Sequence, residues 1–273
     1  MKKTILATAI IFGLFIFAVC DGNSGGDAAG IVTVNIGATF SPHSEILTEI
    51  APILEEKGFR LNIVIFDDFI SPNLALDAGD IDINYFQHVP FLENFNYNHG
   101  TDLVPVFGVH FEPLRVYAGR LDSLENIPGG ATIAIPDDPT NEARALQLLE
   151  YLGLIGLTPG LGLTATASDV AYNPHNLDII PLEAPILPPS LPDVDFAVIN
   201  GNFALAGGVI DRAIDGAGEA PDSPAAQRFT NYLVVRAGNE DSPAVAALRE
   251  ALNTQAVRDF IYREYLGRVV PTF

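Results

Sequence analysis

The chain has 273 residues, 48% of them hydrophobic, which exceeds one ordinary domain and supplies enough apolar side chain for a substantial core. Its 14 Lys and Arg stand against 34 Asp and Glu, a net charge of −20, which argues against a nucleic-acid-binding role, since that needs clustered cations to meet phosphate. The single cysteine excludes an intramolecular disulfide framework.

Lys2 and Lys3 precede a nearly continuous apolar run over residues 5–19. That is the pattern of a secretory signal peptide occupying residues 1–19, and it is shorter than the roughly 20 residues a membrane span prefers. Cys20 follows at once, where exported bacterial lipoproteins carry their acylated cysteine, although Phe17-Ala-Val19 lacks the small residues usual just before it. Residues 20–30 are Gly-rich and polar with no core-forming side chain, the composition of a flexible tether.

From Ile31, short Val- and Ile-rich runs predict strands over 31–36, 61–66, 81–85, 103–107, 114–118, 132–135, 178–181, 195–199 and 232–235. Helical stretches alternate with them, so the expected architecture is α/β with largely parallel sheets. Ser41-Pro42, Ser71-Pro72, Asp138-Pro139 and Ser242-Pro243 each place a capping oxygen before a proline suited to the first helical position, while Gly58 and Gly79 read as helix stops. Pro181-Leu-Glu-Ala-Pro-Ile-Leu-Pro-Pro-Ser-Leu-Pro192 reads as a stiff loop.

Two segments carry the chemistry. Ile81-Asp-Ile-Asn-Tyr-Phe-Gln-His-Val-Pro-Phe91 puts aromatic rings and a histidine just past an apolar strand, where they can wrap an apolar side chain. Strand alternation points Tyr85 and Phe86 to opposite faces, so only one of them enters a cleft. Ala131-Thr-Ile-Ala-Ile-Pro-Asp-Asp-Pro-Thr-Asn-Glu-Ala-Arg144 puts an arginine on the opening turns of a helix, where it can grip a carboxylate. The alternative for Arg144 is a surface pair with Glu142 or Glu150, and the alternative for the rings is plain core packing.

Asp80-Ile-Asp-Ile-Asn-Tyr-Phe-Gln-His-Val-Pro-Phe91, Gly130-Ala-Thr-Ile-Ala-Ile-Pro-Asp-Asp-Pro-Thr-Asn141, Leu182-Glu-Ala-Pro185 and Asp193-Val-Asp-Phe-Ala-Val-Ile-Asn200 together resemble the NlpA-type methionine-binding lipoproteins, the substrate-binding components of bacterial methionine ABC importers. The resemblance runs from about Val32 to the C-terminus. It implies a two-lobe periplasmic-binding-protein-like fold of type II, with discontinuous lobes and a ligand cleft between them. The first lobe would take residues 31–121 and 228–273, and the second 122–227. By position, Phe69, Phe86, His88 and Phe91 would line the ligand's side-chain pocket, Arg144 would hold its carboxylate, and Asn200 and Asn231 would bond its polar end. Phe69 and Phe91 stand where the family more often has tyrosine, which makes the pocket more apolar. The implied ligand is L-methionine, with D-methionine a second candidate. The implied partners are an ABC permease with its ATPase and, through a lipid on Cys20, the cell membrane or the periplasmic face of an outer membrane. The expected state is a monomer.

Another apolar amino acid or a short peptide is the second reading, and a surface-contact lipoprotein the third. No cofactor or metal is expected: His88, His99 and His110 recur every eleven residues, a spacing without coordination meaning, and His43 and His175 read as loop residues. Adjacent Asp67-Asp68 and Asp137-Asp138 read as capping or solvated pairs. No nucleophile elbow or phosphate-binding glycine loop occurs, so no enzymatic activity is expected.

Overall fold

The computed structural model describes residues 30–273; the expected signal peptide, the acylated Cys20 and nearly all of the tether lie outside the described residues. The body opens with β1 (Val32–Thr39), α1 (Glu45–Glu56), β2 (Phe59–Phe66), α2 (Ser71–Ala78), β3 (Ile83–His88), α3 (Val89–His99) and β4 (Leu103–Phe111). There follow β5 (Arg115–Ala118), β6 (Thr132–Pro136), α4 (Pro139–Tyr151), a small β7–β8 ribbon (Gly156–Leu157 with Val170–Tyr172), β9 (Asp178–Leu182), α5 (Leu187–Ser190), β10 (Phe196–Ile199), α6 (Gly201–Ala206) and β11 (Ala213–Gly218). The chain closes with α7 (Pro224–Arg228), β12 (Thr230–Arg236), α8 (Pro243–Leu252), α9 (Gln255–Tyr265) and β13 (Val270–Pro271).

These strands make a six-stranded sheet in the order β13-β4-β12-β3-β1-β2 and a five-stranded sheet in the order β11-β5-β10-β6-β9. Each sheet has its own core. Ile46, Leu47, Ile50 and Leu54 form one apolar stripe of α1 that seals the first sheet together with Leu248 and Ile261 of α8 and α9. Ala143, Leu146 and Leu149 of α4 seal the second sheet against Ile133, Ile135 and Val198. Both sheets are mixed, not largely parallel. β1 pairs in parallel with β2 and β3, and β6 with β9 and β10, but β12 runs antiparallel to β3 and β4, and β5 antiparallel to β10 and β11. The antiparallel strands are the ones on which the chain enters and leaves the second sheet. We therefore propose lobe crossings at residues 112–114 and 219–229, because β5, expected in the first lobe, pairs within the second sheet.

Several local expectations change. Ser41 has extended backbone and its hydroxyl donates to Glu45, so α1 starts at Glu45 and the Ser41-Pro42 pair does not cap it. At α2 the capping oxygen belongs to Asp68, which accepts from the Ile70 and Ser71 amides. Asp138 and Ser242 do cap, accepting from Asn141 and Val245, and Gly79 ends α2 in the left-handed region. The proline-rich run is not all loop. Pro185 and the Pro188-Pro189 pair fall in first turns, where the missing N–H has no helical partner, so Ala184–Ile186 forms a 3₁₀ turn and Leu187–Ser190 a short α-turn that buries Leu187.

Candidate functional site

β3 continues three residues past its expected end, to His88, where the chain turns directly into α3 with Pro90 in its first turn. Phe86 and His88 therefore sit two apart on one strand and Phe91 on the first turn of the helix, while Tyr85 faces the first core. Phe69, half-buried ahead of α2, completes a triangle with Phe86 and Phe91, with ring centroids 5.8–6.1 Å apart. This spacing suits interacting aromatic pairs. The three rings wall one end of a small, tight cavity. His88, Arg144, Asn200 and Asn231 line the same cavity, so all seven residues singled out in the sequence meet there. Gln87, Glu112, Asn141, Gly201 and Asn202 join them.

The polar end is fixed by a chain of hydrogen bonds that starts at Asp138. Its carboxylate can only accept, so the Asn141 side-chain nitrogen turns toward it at 2.9 Å. That leaves Asn141 Oδ1 to accept from His88 Nε2 at 3.1 Å and from Asn200 Nδ2 at 3.2 Å. His88 is thereby the Nε2–H tautomer, with Nδ1 accepting the Phe91 amide at 3.2 Å. Both ring nitrogens are committed, and His88 offers the cavity only its ring. Burial holds His88 neutral with its pKa pushed down to about 3, and the nearby Arg144 charge adds to the shift. Asn200 Oδ1 is left buried and without a partner among the described residues. An orphaned acceptor of this kind is costly, and it points to a donor that arrives with a ligand. Replacing Asp138 by alanine should cost about 1–2 kcal/mol through the lost cap and the freed Asn141 amide, read by urea unfolding.

Arg144 is 4% exposed and pairs with neither Glu142 nor Glu150. Its Nε donates to Glu219 Oε1 at 2.8 Å, its Nη2 donates to the other Glu219 oxygen and to the Glu112 carbonyl at 3.0 Å, and the Phe229 ring lies 4.1 Å from its Cζ. The guanidinium thus binds both crossing segments, and its Nη1 has no partner among the described residues. Glu219 Oε2 also accepts from the Leu114 amide, which joins the two crossings directly.

Behind this end lies a second buried network. His110 Nε2 is 2.8 Å from Glu112 Oε1, and Tyr85 O–H bonds the other ring nitrogen of His110. His43 Nε2 is 3.2 Å from Asn231 Oδ1 and 3.5 Å from Glu112 Oε1, with Thr39 at its Nδ1. His43, expected in a loop, is 1% exposed and packs edge-on against Tyr85. Burial pushes both histidines down to about 3 and pushes Glu112 up. The evenly spaced His88, His99 and His110 do not converge: His99 stacks on Phe95. His43, His110 and Glu112 do converge within 4.8 Å, a donor set that suits a cation. Here each Nε2–H already meets an oxygen, and hydrogen bonding accounts for every one of these atoms.

Glu112, Glu219, Asn202 and the His43–His110 pair carried no usable signal in the sequence, because their partners lie far along the chain. Asn141 did carry one: it stands three residues past the Asp138 cap, where a side-chain amide meets the capping carboxylate.

Membrane lipoprotein TpN32 of Treponema pallidum is 41% identical over 235 residues, 86% of each chain. The D-methionine-binding lipoprotein MetQ of Salmonella typhimurium is 35% identical over 272 residues, covering 98% of this chain and 97% of the relative. A solved nutrient-binding protein from Burkholderia cenocepacia, bound to methionine, superposes with a TM-score of 0.82 at 37% identity, covering 88% of this chain and 100% of that one. The family model for NlpA lipoprotein matches residues 34–273. With two sheets around one cleft and a family match over the whole body, the chain belongs to the NlpA lipoproteins, substrate-binding proteins and not enzymes.

Proposed function

We propose that this protein captures methionine in the interlobe cavity, L-methionine first and the D form as a second substrate, and delivers it to an ABC permease driven by its ATPase. In this reading the mature chain is a monomer held at the membrane by a lipid on Cys20. One observation carries it: the cavity is walled by three phenyl rings at one end and presents the buried, unsatisfied Asn200 Oδ1 at the other. The rings suit a thioether, which gains a modest sulfur–aromatic attraction there. In this reading Arg144 takes the ligand carboxylate, and Asn200 Oδ1 and the Glu112 carboxylate take the ammonium. The methionine bound in the Burkholderia relative and the D-methionine of the MetQ name support the ligand class.

His88 and Asn141 already bond across the cleft without a ligand, one on β3 and the other on α4. A ligand touching both sides favours the closed form by its differential affinity for it.

Thermal unfolding of the body (residues 28–273), refolded free of ligand, tests the reading against L- and D-methionine, other apolar amino acids and Met-containing dipeptides. At a hundredfold excess over Kd, a ligand adds about 2.7 kcal/mol, or about 5–10 °C in Tm. A rise with methionine is expected. A rise with leucine or phenylalanine alone would give the cavity to another apolar amino acid, the reading that phenylalanine at positions 69 and 91 favours. No rise with any ligand would overturn both.

A further inference from the structure

Methionine capture as proposed leaves unexplained why two histidines, a tyrosine and a glutamate are buried together behind the polar end of the cavity. The protonation of this group can be read from its partners. Asn231 Oδ1 can only accept, so His43 carries its proton on Nε2, and an ionised Glu112 requires the same of His110. Thr39 and Tyr85 then donate their hydroxyl protons to the two Nδ1 atoms. Both rings are neutral donors: the His110 Nε2–H meets Glu112 Oε1 at 2.8 Å, while the His43 Nε2–H is given to Asn231 and stands 3.5 Å from the same oxygen. The other side of the carboxylate accepts the Asn202 amide and rests against Gly201, where a Cβ would stand 2.7 Å from Oε2. Arg144, whose Nη2 holds the Glu112 carbonyl, is the remaining charge facing it.

Glu112 is therefore held from both lobes: by the His110 hydrogen bond, with His43 close behind it, from the first, and by the start of α6 from the second. Hydrogen bonds to an ionised group favour that form, whereas burial alone favours the neutral acid. We infer that His43 and His110 are positioning residues that keep Glu112 an anion aimed into the cavity, so that the site selects ligands bearing a free, charged α-amino group. Deaminated and N-acylated forms of the same side chain are rejected. The inference rests on methionine being the ligand, and the test separates the two.

Calorimetric titration compares L-methionine with 4-(methylthio)butanoate, the same acid without its amino group, for the wild type, His110→Leu, His110→Gln, Tyr85→Phe and Glu112→Gln. Circular dichroism verifies folding. In His110→Leu, methionine affinity should fall about 10- to 100-fold, the range of a hydrogen bond to a charged group, while affinity for the deaminated acid holds or rises. His110→Gln, whose amide N–H can replace Nε2–H, should keep the preference to within about threefold. Tyr85→Phe removes only the hydroxyl that fixes the His110 tautomer, and should shift the preference in the same direction as leucine. If His110→Leu does not fold, Tyr85→Phe and Glu112→Gln decide. An unchanged ratio of the two affinities in the folded variants overturns the inference alone. A wild type that binds no methionine overturns the functional reading and the inference with it.

Discussion

Replacing Arg144 by alanine is expected to abolish the methionine-dependent rise in Tm and to cost about 3–5 kcal/mol of stability in the absence of ligand. The two losses have different origins. Binding should fail because the cation proposed to meet the ligand carboxylate is gone. Stability falls because the Glu219 side chain, 9% exposed, is left as an uncompensated buried charge, and because the Phe229 ring loses the guanidinium stacked over it. A double substitution, Arg144→Leu with Glu219→Leu, separates them. Removing both charges should recover most of the stability, since buried ion pairs exchange for apolar pairs at little net cost, while binding stays lost. Urea unfolding of the three forms with and without methionine makes the comparison. Recovery of binding in the double variant would show that Arg144 serves the crossings alone.

Acidification below pH 6.5 should destabilise the protein steeply. His43, His88 and His110 are each buried neutral with folded pKa values pushed from 6.5 down to about 3. A depressed folded pKa means that the unfolded chain binds the proton first. Stability is therefore full above about pH 6.5 and drains as the pH falls toward 3, at up to about 1.4 kcal/mol per pH unit for each histidine. By pH 5 the three together amount to a loss of up to about 6 kcal/mol, comparable to the whole stability of many domains. Glu112 and Asp138 act in the opposite sense. Burial raises their folded pKa, so the fold takes up their protons first and gains relative stability below it. His88 gives the cleanest reading, because its ring nitrogens meet an amide oxygen and a backbone amide but no carboxylate. His88→Gln should reduce the slope of stability against pH between 6.5 and 4 by about 1.4 kcal/mol per unit. Chemical unfolding at half-unit pH intervals measures it, and an unchanged slope would mean that His88 titrates normally.

Strands such as 132–135 and 195–199 were legible because Val, Ile and Ala buried on both faces have no other use for so short a run. β11 was not, since Ala-Ile-Asp-Gly-Ala-Gly carries no strand signal and pairs only because β5 lies beside it. The apolar wall was legible for a similar reason: Phe86, His88 and Phe91 are neighbours in sequence, and their spacing fixes their direction. The polar end was legible only in part. Arg144 stood out on its helix, but its partner Glu219 is 75 residues away, and the amide that orients Glu219 is 105 residues away. Nothing local marks such pairings. The same holds for His43, which looked like a turn residue and is buried because β12 brings Asn231 across to it.

The three-ring wall has a consequence for redox chemistry. A methionine oxidised at sulfur carries an S=O dipole that demands a hydrogen-bond donor once it leaves water. Phe69, Phe86 and Phe91 have none to give, and phenylalanine at 69 and 91 removes the phenols that tyrosine would supply. The neighbouring polar side chains are spent: both ring nitrogens of His88 are engaged, and the Gln87 side-chain nitrogen donates to both Asn73 and Asn84. A cavity built this way should sort its ligand by oxidation state: with methionine as the ligand, its sulfoxide is expected to give a smaller rise in Tm than the reduced thioether.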